Sequence, residues 1–170
     1  PNTMGRGWTH SFNCYITSVG SGVNARLVVH YPDGKLHYYK VQGGVFIPES
    51  IGVFDAIATT GSPVNAVTIT TPSKVEYYFE KMTGQVGNFW LIKTIKDRNL
   101  NTLTFINQLG INSFPRLASV ADQAGRSLTF TYLTGELRNY LSQVTLAGVG
   151  ASFNGRNVQF TYHPLVLDGD

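Results

Sequence analysis

A seven-residue stretch that occurs twice constrains the fold of this chain more than any other feature. RSLTFTY at 126–132 returns as RNVQFTY at 156–162, and a third version, NTLTFIN, precedes them at 101–107. Apolar or aromatic residues alternate in them with Ser, Thr, Asn or Gln, which is the period-two pattern of a β-strand with one buried side. The chain is therefore predicted to build a sheet from similar strands.

Each of these strands belongs to a longer unit that contains two strands. The units LIKTIKDRNLNTLTF (91–105), LASVADQAGRSLTFTY (117–132) and LSQVTLAGVGASFNGRNVQFTY (141–162) share a short strand, a turn rich in Asp, Asn and Gly, and a second strand. A single hairpin cannot bury its own apolar side, so successive hairpins should lie side by side. The alternate apolar positions of the second strands are the predicted core of the repeats: Leu103, Phe105, Leu128, Phe130, Tyr132, Val158, Phe160 and Tyr162.

The first half of the chain also alternates, and helical periodicity is almost absent. LVVHYPDGKLHYYKV at 27–41 is the clearest hairpin signal. The predicted fold is all-β, an antiparallel meander of successive hairpins in a curved open sheet with exposed edges and little or no helix. We expect a single β-repeat module over 1–170, with lead-in strands and hairpins at 1–90 and three hairpin repeats at 91–170.

Composition and charge exclude several classes of partner. Only 14% of the residues are charged, against about 25% in a typical soluble protein, and the net charge of +3 comes from scattered basic residues. No basic run predicts a nucleic-acid partner, and no apolar run of about 18 residues predicts membrane insertion. Cys14 is the only cysteine, which excludes an intrachain disulfide and favours a small buried hydrophobe.

The sequence contains no motif that predicts catalysis or a cofactor. Gly-x-Ser-x-Gly is absent, and Cys14 has His10 nearby without a recognisable motif around it. The polar cluster of Asp97, Arg98 and Asn99 is predicted to be a turn in which Asp97 accepts local backbone N–H groups. Arginines before the later strands, Arg126 and Arg156, are expected to pack or pair between repeats. We therefore predict no catalytic residue and no bound cofactor.

Two histidines are candidates for metal binding. If Asp33 and Gly34 form a two-residue hairpin loop, His30 stands directly across from His37, with Cβ atoms about 5 Å apart. Such a pair could share a metal ion or respond to pH. Further ligands are not evident nearby, so a half-exposed polar side is the alternative interpretation and no metal is predicted.

The order of motifs along the chain resembles the RHS, or YD-repeat, family at the start of its repeat region. The matching segments are GRGWTHSF (5–12), YPDGKLHYY (31–39), VFIPESIGVFDAI (45–57), LIKTIKDRNLNTLTF (91–105) and AGRSLTFTY (124–132). Asn99, Leu100 and Asn101 depart from the family's Asn-Gly-Asn, so an asparagine is expected to adopt the left-handed conformation there. The Tyr-Asp dipeptide of the family and its self-cleavage signature are absent, so no protease role is implied.

This resemblance implies a noncatalytic structural role in a secreted or cell-surface protein. The partners it implies are copies of the chain, paired edge to edge in a filament or shell wall, or further repeats of a longer precursor from which this piece is processed. The alternatives are a fragment of a toxin-enclosing shell and an extracellular glycan-binding or adhesion module. For the latter, Trp8, Trp90 and the tyrosines could line a sugar-binding surface, although core positions are favoured.

Overall fold

A computed structural model describes residues 10–61, 63–85, 87–134, 139–148 and 155–162. These residues form an open sheet of 13 antiparallel strands, and their only helical turns are two single 3₁₀ turns, Gly22–Asn24 and Ile111–Ser113. The predicted all-β meander is confirmed. The strands are β1 (Tyr15–Val19), β2 (Arg26–His30), β3 (Leu36–Gln42), β4 (Val45–Pro48), β5 (Ala56–Thr60), β6 (Ala66–Thr70), β7 (Glu76–Glu80), β8 (Phe89–Lys96), β9 (Thr102–Leu109), β10 (Pro115–Asp122), β11 (Ser127–Tyr132), β12 (Leu141–Ala147) and β13 (Arg156–Gln159). None of the described helical turns is long and apolar enough to cross a membrane.

The sheet branches at β8, which pairs with three other strands. One edge of β8 pairs with β7 over residues 91–96. The opposite edge is shared, because β1 pairs with residues 89–91 and β9 pairs with residues 94–96. We call β1–β8 the curled unit and β9–β13 the repeat arm. The predicted division of the chain at 90/91 falls inside β8, which belongs to the hydrogen-bonded ladders of both regions.

The curled unit is nearly a ring. Its strand order, β4-β3-β2-β1-β8-β7-β6-β5, begins and ends with two strands that are consecutive in the chain. In the described residues no ladder joins β4 to β5, so the ring stays open at this seam. Alternate positions of its strands point inward and fill the interior, as the period-two pattern requires. The buried residues there are Ile16, Leu27, Val29, Tyr39, Val67, Ile69, Phe79, Trp90 and Ile92.

The repeat arm is a meander in chain order from β9 to β13. Residues 10–14, which we call the strap, lie against its apolar side. The His10 ring packs on Phe130 with centroids 5.6 Å apart, and Phe12 meets Phe105 and Phe130 edge-on at 6.0 and 6.3 Å. The strap thus supplies aromatic contacts that the single layer of strands cannot make with itself.

Four hairpins use the same three-residue loop. In each, the residue before the loop donates its N–H to the carbonyl four residues later, and the third loop residue donates back to it. That third residue has positive φ in every case, which is the geometry of a type I turn followed by a left-handed residue. The hairpins span 31–35, 71–75, 97–101 and 122–126, and their left-handed residues are Gly34 (φ 85°), Lys74 (65°), Leu100 (68°) and Gly125 (79°).

These four loops lie at one end of the sheet, which we call the turn rim. The pairing of Glu76 with Lys96 sets the loop before β7 beside the loop after β8. The expectation of a left-handed asparagine at 99–101 is wrong, because Leu100 itself adopts that conformation. Left-handed backbone costs a residue with a side chain about 1–2 kcal/mol, so this turn is strained where its counterpart at Gly125 is not.

Candidate functional site

The predicted pair of histidines does not form. The loop after β2 has three residues, Pro32 to Gly34, where two were assumed, so His30 pairs with Leu36 and Val29 pairs with His37. A shift of one residue in register moves a side chain to the opposite side of the sheet. His30 and His37 therefore point in opposite directions and cannot share a ligand.

Each histidine has its own set of contacts. The His30 ring stacks on Tyr15 at 4.3 Å, and its Nε2 lies 3.0 Å from Thr17 Oγ1. Burial lowers the pKa of His30, which favours the neutral ring. Over the described parts of the chain, His, Cys, Asp and Glu side chains form no group of three that could hold a metal ion. The two histidines thus have separate contacts on opposite sides of the sheet.

A cluster that the sequence did not reveal closes the interior of the curled unit at the turn rim. The Tyr39 hydroxyl donates to Asp55 Oδ2 at 3.0 Å, and His37 Nδ1 lies 3.4 Å from the same oxygen. The Tyr31 ring packs edge-on against His37 at 4.9 Å and Tyr77 at 6.2 Å. We call these five residues the Asp55 cluster. It ties the connection between β4 and β5 to the inner side of β3.

The protonation states in the Asp55 cluster favour stable hydrogen bonds. Burial is the largest cause that raises the pKa of both Tyr39 and Tyr31, so the phenols stay protonated and can donate hydrogen bonds. The nearby Cys14 is buried, and burial raises the pKa of its thiol to about 12. Because the thiolate is the reactive form of cysteine, Cys14 is a poor nucleophile at neutral pH.

The aspartate turns of the repeats have the predicted local geometry. Asp97 Oδ1 accepts the N–H groups of Asn99 and Asn101 at 2.8 and 2.9 Å. Asp122 Oδ1 accepts those of Ala124 and Arg126, both at 2.9 Å. The side-chain amide of Asn101 lowers the pKa of Asp97, and the backbone N–H of Arg126 lowers the pKa of Asp122. These carboxylates are acceptors that fix turns.

Arg126 does not pair between repeats as expected. Its Nε donates to Asp122 Oδ2 at 2.6 Å, within its own turn. The bond between neighbouring turns comes from Gln123, whose Nε2 donates to the carbonyl of Leu100 at 3.1 Å. Because the Arg126 guanidinium is held by the carboxylate of its own turn, the hydrogen bond to the neighbouring turn is made by the Gln123 amide. The expectation of an ion pair between repeats is thus wrong for Arg126, whereas its side chain does line the cleft between the two turns.

A cleft of about 350 Å³ lies between the two aspartate turns on the turn rim. Its volume is within the range of small-molecule sites, about 300–1,000 Å³. The residues that line it carry no aromatic ring: Ile95, Asp97, Asn101, Thr102, Leu103, Asp122, Gln123, Ala124 and Arg126. Trp90 is buried under Lys81, and Trp8 lies outside the described residues. Neither the cleft nor Trp90 offers the exposed ring on which a sugar would stack.

The predicted repeat core is buried to different depths. Phe105, Phe130 and Tyr132 are buried, and the Tyr132 hydroxyl donates to the carbonyl of Leu117 at 2.6 Å. The half-buried members are Leu103, Leu128, Phe160 and Tyr162. Val158 was expected to be covered, but it is 59% exposed. It lies on β13, which pairs only with β12 among the described strands and so lacks a neighbour on its outer side.

No protein-family model matches this chain, and no curated protein matches its sequence. The resemblance to the RHS family thus stays a prediction. Of the segments that carry it, GRGWTHSF lies outside the described residues at 5–9, as does most of the turn of the third repeat unit, at 149–154.

Proposed function

We propose that this chain is a noncatalytic structural β-repeat module of an RHS-like secreted or cell-surface protein. Its sheet continues by edge-to-edge pairing with like modules, in a filament or shell wall, or with further repeats of a longer chain. In this proposal the module extends a continuous sheet, in which the polar turns connect the strands and the buried aromatic residues form the core. Neither an enclosed toxin nor a glycan is favoured by a particular feature of the described residues.

The observation that carries this proposal is the way in which the repeat arm ends. Antiparallel strands follow one another in chain order from β9 to β13, and the last described strand, β13, has all four residues exposed. The N–H of Phe160 donates to the carbonyl of Ser142, so the main-chain N–H of this residue points toward β12. In an antiparallel strand the N–H and C=O of successive residues point to alternate sides, and those of Asn157 and Gln159 therefore point outward. Among the described strands these groups have no ladder partner, so they form an unpaired hydrogen-bonding edge of the described sheet.

Exposed apolar surface on the same strand also supports continuation. Leu103, Leu128 and Val158 occupy the same position in their repeat units. The two leucines are half-buried because another strand follows theirs in the sheet, whereas Val158 is 59% exposed. A further strand beside β13 would bring Val158 into the environment that its equivalents already have, with about 25 cal/mol gained per Å² of apolar surface covered.

A proline on the free edge tests the proposal. Gln159→Pro removes an N–H that faces outward and leaves the ladder with β12 intact, and proline is tolerated on edge strands. Gln159→Ala is the matched control, because it changes the side chain and keeps the N–H. Negative-stain microscopy and light scattering should show association of the wild-type chain and of Gln159→Ala, and loss of long assemblies in Gln159→Pro. A wild-type chain that remains a monomer at high concentration would contradict pairing between copies of this chain.

A further inference from the structure

The strap is fixed on the repeat arm largely through His10. The Nδ1 atom of His10 accepts the N–H of Phe12 at 3.2 Å, and its carbonyl accepts the N–H of Asn13 at 2.9 Å. The imidazole ring also packs on Phe130, on the apolar side of the arm. One residue thus determines both the local conformation of the strap and its position on the sheet.

This arrangement requires the neutral form of His10. A neutral imidazole has one nitrogen that donates and one that accepts, whereas both nitrogens of an imidazolium are donors. Protonation would therefore set an Nδ1–H against the N–H of Phe12 and remove the hydrogen bond between them. A donor that loses its acceptor away from water is destabilising, so the closed strap is disfavoured once the ring is charged.

The surroundings of His10 contain no group that would stabilise a positive ring. His10 lines a cavity of about 40 Å³ between the strap, β8, β9 and β10, which has room for only a few water molecules. The titratable or charged groups of this lining are Cys14, Tyr15 and Arg116, and no carboxylate is among its described residues. Burial raises the pKa of Cys14 and of Tyr15, so both stay neutral in weak acid. Arg116 already carries a positive charge, which opposes a second one.

The strap can leave the arm without breaking the sheet. β1 begins only at Tyr15, and residues 10–13 belong to no described strand. Segments of this kind open locally at a lower free energy than global unfolding requires. The ring of Phe12 would leave with the strap, and Phe105 and Phe130 would lose the aromatic ring that now meets them edge-on.

We propose that the strap is a cover released by acid: protonation of His10 detaches it from the repeat arm while the strands stay paired, and the apolar side around Phe105 and Phe130 becomes exposed. This inference goes beyond the proposed function and does not rest on it, since neither β13 nor any contact between copies takes part. The apolar side of the arm is then covered at neutral pH and accessible in acid.

The direction of the pH dependence follows from the two environments of the ring. Burial lowers the pKa of His10 in the closed strap, and release returns it to the ordinary value of 6.5. The released form therefore binds the proton first. The equilibrium constant for release should be constant above about pH 6.5, rise by at most about tenfold per pH unit below it, and level off below the closed-state pKa.

Amide hydrogen exchange of Phe12 measures release directly, because this N–H is protected by His10 Nδ1 only in the closed strap. The rate is divided by that of the unfolded chain at the same pH. Between about pH 7 and about pH 5 the ratio should increase about fivefold or more in the wild type. The amides of β7, which is paired on both sides, should stay protected.

Two substitutions assign the effect to His10. His10→Gln keeps an acceptor and cannot titrate, so its exchange ratio at Phe12 should not depend on pH. His30→Gln is the matched control, because it removes a half-buried histidine outside the strap and should behave as the wild type. Binding of anilinonaphthalene sulfonate, which reports exposed apolar surface, should increase in acid for the wild type and not for His10→Gln. Circular dichroism confirms that each variant is folded.

Every result supports or overturns the inference. An exchange ratio at Phe12 that is independent of pH in the wild type overturns it, and so does a pH dependence that persists in His10→Gln. Amides of β7 that exchange as fast as Phe12 would show global unfolding, which also contradicts local release. Increased exchange without increased dye binding would mean that the apolar side stays covered. The outcome is the same whether or not the chain polymerises, so this test and that of the proposed function fail separately.

Discussion

The curled unit and the repeat arm bury the same kinds of side chains but cover them differently. In the curled unit, strands face strands across the interior, and Tyr39 and Phe79 are completely buried. The repeat arm is one layer of strands, and its Phe105 and Phe130 rely on the strap, chiefly on the ring of Phe12. A meander that nearly closes on itself supplies its own cover, whereas one that stays open needs a segment from outside the strands.

The largest expected effect compares one buried phenylalanine from each region. Phe79→Ala and Phe130→Ala should each lower the free energy of unfolding by about 3–5 kcal/mol, because both remove a ring from a packed core. Urea denaturation followed by tryptophan fluorescence measures the loss, with Phe114→Ala as a control at an exposed site.

The comparison fails if the two losses differ strongly. A loss below about 1 kcal/mol for Phe130→Ala alone would mean that the apolar side of the repeat arm is not a packed core. The strap would then be a loose cover, and the difference between the regions would be one of stability as well as architecture.

A smaller effect is expected from the shared turn. Leu100→Gly and Lys74→Gly should each raise the free energy of unfolding by about 0.5–1 kcal/mol, since relief of left-handed strain exceeds the entropy that glycine loses on folding. Leu100 is 67% exposed, so little apolar burial is lost with its side chain. Gly125→Ala should be destabilising at the equivalent position. The midpoint of urea unfolding is sufficient to rank these variants.

These substitutions compare the same loop in the two regions. Lys74 belongs to the curled unit, and Gly125 belongs to the repeat arm. Equal gains in the free energy of unfolding for Leu100→Gly and Lys74→Gly would show that the strain depends on the backbone conformation of the loop and not on the region that contains it. A stabilising Gly125→Ala would contradict the left-handed geometry described for that turn.

The smallest effect is a pH dependence that involves the strap. His10 Nδ1 accepts the N–H of Phe12 at 3.2 Å, and burial lowers the pKa of His10 below its ordinary value of 6.5. The unfolded chain therefore takes up the proton first. The stability that the neutral ring contributes is present above about pH 6.5 and is lost as the pH falls through the folded-state pKa.

His10→Gln removes this titration and keeps an acceptor in the strap. The difference in unfolding free energy between about pH 7 and about pH 5 should become smaller than in the wild type. His30→Gln is the corresponding change in the curled unit, where burial also lowers the pKa. A pH dependence unchanged in the double variant would show that neither ring is held neutral by the fold.

Local patterns in the sequence predicted the strands, because alternation reports directly which side of a strand is buried. They did not predict the register of the first hairpin. Asp33-Gly34 is compatible with loops of two or three residues. A two-residue loop would place His37 across from His30, whereas the observed three-residue loop places it beside Asp55. The same pattern wrongly predicted that Val158 is buried, since alternation does not show which strand lies at the edge of a sheet.

Contacts between distant segments could not be read from the sequence. Asp55 meets Tyr39 only because the connection between β4 and β5 folds back over the end of the curled unit. The sharing of one edge of β8 by β1 and β9 has no local signal, because each half of β8 reads as ordinary strand. Gln123 likewise donates to the carbonyl of Leu100 only because the fold places the two turns side by side.

The branch at β8 has a mechanical consequence. Tension applied across the repeat arm passes from strand to strand through ladders that could open one hydrogen bond at a time, and it reaches the curled unit through the three pairs between β8 and β9. There it divides, because β7 holds one edge of β8 along residues 91–96 and β1 holds the first part of the other. Force carried by a wall of such modules would therefore concentrate on this short ladder, which would yield before the core of the curled unit.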